Sequence, residues 1–109
     1  MTPARLYRLA PRADWIAAST GGANVLGWND DDRRDGFMHL STHDQVAETA
    51  RRHYADVSEL WIIEIDAAAL GPALRWEPSR GGALFPHVHG DIPLTAVIDA
   101  RPFDPADVP

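Results

Sequence analysis

One stretch of this chain leaves little freedom in how it folds: LWIIEI at residues 60–65. A short run of large and β-branched side chains fits a buried strand far better than a helix. The other strand candidates are weaker signals: Arg5 to Leu9, Phe37 to Leu40, Leu74 to Glu77 and Leu94 to Ala100. They do not alternate with helices as βαβ units. One helix is expected from Arg12 to Ser19, started by Pro11, anchored by Trp15 and Ile16 and stopped by Gly21-Gly22. A second is expected to run to about Tyr54, with Val46, Ala47, Ala50 and Tyr54 facing the core. Ser41 or Thr42 would cap it, and Ser41 with Asp44 forms a capping-box pattern. Between the helices, residues 24–34 are polar, and Asn29-Asp30-Asp31-Asp32 reads as a solvated loop. It lacks the ligand spacing and the later glutamate of a calcium loop. The pattern predicts an α+β fold, a small and mostly antiparallel sheet with two main helices. At 109 residues it reads as a single domain, 1–109, with a poorly ordered tail from 102.

Composition narrows the chemistry. There is no cysteine, which excludes disulfides and thiolate nucleophiles. All ten basic residues are arginine, so Schiff-base and P-loop lysine chemistry are excluded, and an anion site must use arginine or backbone N–H groups. The net charge of −6 argues against nucleic acid as a partner. No apolar run approaches the ~20 residues needed to span a bilayer. The N-terminus lacks a signal-peptide core, so a cytoplasmic chain with no membrane partner is expected.

Three segments carry candidate chemistry. In DGFMHLST, 35–42, period-2 geometry puts Phe37, His39 and Ser41 on one face, beside a helix N-terminus that favours an anion. The same residues also read as a strand end and a cap. In WEPSRGG, 76–82, Glu77 stands between Trp76 and Pro78, where desolvation would suit it to general acid–base work. Arg80 precedes two glycines that permit close approach of a ligand, though a turn with a surface ion pair explains the segment equally. In FPHVHG, 85–90, His87 and His89 share a face, and Phe85 or Trp76 offers an aromatic wall. His39 would supply a third metal ligand, but no carboxylate completes the pattern and no metal is expected.

These segments, with the early Leu6-Tyr7 strand and Trp15, resemble the domain of unknown function 952 family of small bacterial and plant proteins. The likeness spans nearly the whole chain and implies no established activity. At a deeper level the family is similar to the ADP-ribosyltransferase-like fold, which includes NAD-using RNA 2′-phosphotransferases with an H-x-S-type element. That likeness implies that His39 hydrogen-bonds the nicotinamide-side ribose with Ser41 assisting. It implies that Glu77 stabilises an oxocarbenium-like centre, that Arg80 anchors a pyrophosphate, and that Phe85 or Trp76 stacks. Thr42, Ser79 and His87 complete the expected ligand-binding set. The chain departs from the pattern in its last strand, which offers Asp99 where many such transferases carry a glutamate. It also lacks the basic surface that RNA requires, and it has His89 where the family favours tyrosine.

The leading expectation is therefore a site that binds NAD or an ADP-ribosyl or related nucleotide ligand, with His39 and Glu77 catalytic if glycosyl transfer or hydrolysis follows. No cofactor is required, and NAD enters only as substrate. The alternatives are a non-catalytic module for a small anion or metabolite, and a protein–protein interaction domain of unnamed partner.

Overall fold

In the computed structural model the LWIIEI run becomes β3, Leu60–Asp66, the middle strand of a three-stranded sheet. Its antiparallel neighbours are β1, Arg5–Pro11, and β6, Val97–Pro102. The structure describes residues 2–104, and of Arg80 only the backbone. Both faces of β3 are apolar because both are covered. Ile63 and Ile65 enter the main core with Leu6, Leu26, Met38, Leu40 and Val88. Ile62 enters a second cluster with Leu9, Val46 and Ala50. Each buried isoleucine contributes ~1.5–3 kcal/mol. A one-residue slip would exchange the two faces, so the register is strongly specified.

The expected single sheet is two. Strand β2, Met38–His39, pairs with β5, Leu84–Val88, which pairs with β4, Leu74–Pro78, all antiparallel in the order β2-β5-β4. The sheets meet where Tyr7 and Ser41 exchange backbone hydrogen bonds of 2.9 and 2.8 Å. Alternation along the second sheet divides its residues. Leu74, Trp76, Met38 and Val88 turn to the main core, while Glu77, Phe85, His87 and His39 share the opposite face.

The helices depart most from expectation. In α1, Arg12–Thr20, Trp15 and Ala18 pack against the core, but Ile16 is 38% exposed and anchors nothing. A nine-residue helix against one sheet buries one narrow stripe, and Ile16 lies off it. Ser41 does not cap a helix. It is extended and paired with Tyr7, and its hydroxyl donates to Thr49 Oγ1. Helix α3, Val46–His53, starts later, with Gln45 at its cap and the Gln45 side chain accepting from Thr42 N.

The aspartate run is not a solvated loop. Residues Asp30–Asp35 form α2, with Asn29 and Asp32 joined in a reciprocal capping box and Gly36 closing the end at φ 84°. Three aspartates in the first turn and two arginines in the last match the helix dipole. Asp32 is fully buried. Two residues expected in the tail belong to the fold: β6 includes Pro102, and Phe103 packs on the second cluster. Residues 105–109 lie outside the described residues. No helix among the described residues is long and apolar enough to cross a membrane.

Candidate functional site

Asp32 organises the site from below. Its Oδ2 accepts from Arg8 at 2.6 Å and from Asn29 N at 2.8 Å. Its Oδ1 accepts from His39 Nδ1 at 2.7 Å and from His39 N at 3.1 Å. Arg8 is 4% exposed, and its remaining donors reach the carbonyls of Gly27 and His39. Two buried charges thus stay ionised because nearly every polar atom is engaged. Burial works against the Asp32 charge, yet the bonds from His39, Arg8 and Asn29 hold its pKa at about 2.

His39 is the exposed end of this relay. Its Nε2 donates to Asp35 Oδ2 at 2.9 Å, so the imidazole bridges two carboxylates. Burial disfavours the imidazolium, but Asp32 and Asp35 outweigh it and raise the pKa above the ordinary 6.5. Asp35 is held at about 2, first by its hydrogen bond from Arg34. The local cause is α2: Asp32 and Asp35 sit three apart on one helical face. Gly36 then turns the chain back so that β2 runs past them.

A second polar group lies on the same sheet face. Glu77 Oε1 accepts from His87 Nδ1 and from His89 Nε2, each at 2.8 Å. These bonds hold Glu77 below the usual carboxylate range. Burial lowers the His87 pKa despite Glu77, which leaves its Nε2 an acceptor near neutrality. Phe37 stacks on His87 with ring centres 4.0 Å apart and touches the rings of His39 and His89. The three histidines gather round a phenyl ring rather than a common point. Among the described residues no group of three or more His, Asp or Glu side chains is placed to hold a metal ion.

Above His39 is a cleft of about 190 Å³. Of the residues expected from sequence, His39, Ser41, Ser79, Phe85 and His87 line it. Glu77 stands behind His87 rather than in the lining. Thr42 is also outside the lining, its N–H spent on Gln45. Trp76 is a correction: strand alternation puts it on the core face, away from the cleft. Arg80 lies in a short turn, and its side chain falls outside the described residues.

Sequence reasoning missed Arg8, Asp32, Asp35, Tyr7 and Tyr54 as site residues, and it placed Phe37 on the His39 face without giving it a role. Only Asp32 carried a local signal, the Asn29-x-x-Asp32 capping pattern followed by Gly36.

A family model described as protein of unknown function (DUF952) matches residues 9–100. The chain belongs to this family. The matched segment holds Asp32, His39, Glu77 and His87, and starts just past Arg8. Among solved structures, this DUF952 chain is similar to protein CC0527 from Caulobacter crescentus. The crystal structure of that protein is 34% identical, with a TM-score of 0.84, and the match covers 92% of this chain and 86% of that one. A double mutant of the same protein matches with the same TM-score and coverage at 33% identity. Its solution NMR structure gives a TM-score of 0.76 at 33% identity, covering 98% and 92%. No curated protein matches the chain.

Proposed function

We propose that the His39 cleft binds the nicotinamide–ribose end of NAD or of a related ADP-ribosyl compound. The observation that carries this reading is the buried Arg8–Asp32–His39 relay, which delivers a fixed, cationic imidazole to a cleft with aromatic walls. Tyr7, Tyr54 and Phe85 supply flat apolar surface for a ring, and Asp31 and Asp35 supply negative charge for a cationic one. The sequence likeness to the ADP-ribosyltransferase-like fold points the same way. At about 190 Å³ the cleft is below the roughly 300–1,000 Å³ of drug-sized sites, so it suits part of a dinucleotide.

In this reading His39 donates to a ribose hydroxyl in place of its bond to Asp35. If turnover follows, the bond from the anomeric carbon to nicotinamide breaks, and nicotinamide leaves with the bonding pair. The carboxylates of Asp31 and Asp35 stabilise the resulting oxocarbenium ion. Neutral His87 takes the proton from the attacking water or hydroxyl, and Glu77 positions His87 rather than touching the ligand. The small-anion module is less well supported, because those same carboxylates line the cleft and both His39 nitrogens already face carboxylates.

Thermal-shift titration with NAD, ADP-ribose and nicotinamide riboside tests the reading. A ligand at 100 times its dissociation constant stabilises the fold by about 2.7 kcal/mol. Stabilisation by NAD that is lost in His39→Ala supports it, and nicotinamide release is then assayed. Failure of all three compounds to shift the transition overturns it.

A further inference from the structure

Between the His39 cleft and an open groove beside α1 lies a chamber of about 240 Å³. It shares Asp31, His53 and Tyr54 with the cleft, and Asp14, Ala18 and Gly27 with the groove, so it joins the two. One carboxylate thus stands at each mouth: Asp31, from α2, toward the cleft, and Asp14, from α1, toward the groove. Asp30 is also at the groove mouth, but it faces solvent and carries Arg33. Lining that belongs to the chamber alone comes from Ala10, Pro11, Trp15, Ile63 and Arg8. The first four are apolar, and Trp15 adds a flat ring. The Arg8 guanidinium is already held by Asp32 and by the carbonyls of Gly27 and His39.

A passage that is apolar in its middle and acidic at both mouths selects its occupant. An anion is opposed at either end. A single cation satisfies one end and leaves the other unmet. A chain with an ammonium group at each end satisfies both and lays its methylene groups against Trp15 and Ile63. Asp14 has no ion pair among the described residues. Asp31 holds Arg34 at 3.1 Å, but the pair is exposed on the surface of α2, and such pairs contribute little and exchange readily. The Tyr54 hydroxyl has only a long contact of 3.5 Å from Asn29 Nδ2, which leaves its oxygen able to accept from an ammonium group at the inner mouth. We propose that this chamber binds a linear alkyl diamine, with one ammonium group at Asp14 and the other at Asp31. The site goes beyond the reading of the cleft and stands without it, since it calls on no nucleotide and neither Asp14 nor Trp15 lines the cleft.

The test uses the full chain with 1,4-diaminobutane and n-butylamine as separate probes. Affinity is read by calorimetry, and the Trp15 indole N–H is followed by NMR. The diamine should bind with one-to-one stoichiometry, shift the Trp15 signal and bind at least tenfold tighter than the monoamine. Asp14→Asn and Asp31→Asn, each a mild change on an exposed residue, should separately bring the diamine down to the affinity of the monoamine. Asp56→Asn removes an exposed carboxylate that lines neither the chamber nor its neighbours, and it should leave the affinity unchanged. Failure of the diamine to bind overturns the proposal. So does a diamine that binds no tighter than n-butylamine, which would show a site for one cation only. Binding without a Trp15 response, or binding weakened as much by Asp56→Asn as by Asp14→Asn, reflects the acidic surface at large and also overturns it. Failure of NAD and its relatives to bind the cleft leaves these outcomes unaffected, so the two readings fail separately.

Discussion

At the scale of single residues, Asp32 and His39 make the sharpest predictions. Asp32→Asn keeps the side-chain shape but leaves Arg8 buried without its counter-charge. Breaking a buried pair in this way costs about 3–5 kcal/mol, to be read as a lower urea midpoint with an unchanged slope. The histidines can be followed individually by NMR titration. His39 should titrate above 6.5 and His87 below it, because carboxylates hold one charged while burial keeps the other neutral. Asp32→Asn should bring His39 down. Two histidines with the opposite order, or a His39 indifferent to Asp32, would contradict the relay. His39 and His87 were legible in the sequence as polar residues at strand period. The reason they differ was not, since Asp32 reaches Arg8 across 24 positions of chain.

At the scale of elements, α2 shows what a pattern can conceal. Four polar residues in a row suggested a solvated loop, yet Asn29 and Asp32 cap each other and Gly36 ends the helix. Gly36 sits at φ 84°, where any side chain is strained, and its N–H donates to Asp32 O at 2.8 Å. Gly36→Ala should therefore cost about 1 kcal/mol and lower the thermal midpoint by roughly 4–8 °C. It should also loosen His39, since Gly36 sets the path from α2 into β2. Strand β3 is the opposite case. Its residues name their own conformation, and the strand forms where they predict it. Ser41 failed as a cap because its backbone had a better partner in Tyr7, which local propensity cannot show.

At the scale of the whole molecule, the charged network sets how stability varies with pH. Asp32 is depressed to about 2 from an ordinary 3.8, so its contribution is present above 3.8 and lost as the pH falls toward 2. His39 is raised, so its contribution is full below 6.5 and lost as the pH rises through its folded value. His87 is lowered, and the folded state resists its protonation, which takes stability away below 6.5. Stability should fall steeply below 3.8 and mildly above 6.5. Chemical denaturation across that range checks the shape. Asp32→Asn should flatten the acid limb, and His39→Gln the alkaline one.

What the sequence determined by itself was whatever lies within a few residues of its cause. That includes the β3 strand, the faces of β2 and β5, and the exclusion of lysine and cysteine chemistry. The tertiary structure decided which faces meet. It split one expected sheet into two, sent Trp76 to the core and Phe85 to the cleft, and brought Arg8 beneath Asp32 and His39. The physical reason is the range of the interactions. Propensity, capping and alternation act within about one turn or one strand pair. A buried charge instead is stable only where distant segments converge to satisfy it, and that convergence is a property of the packed molecule.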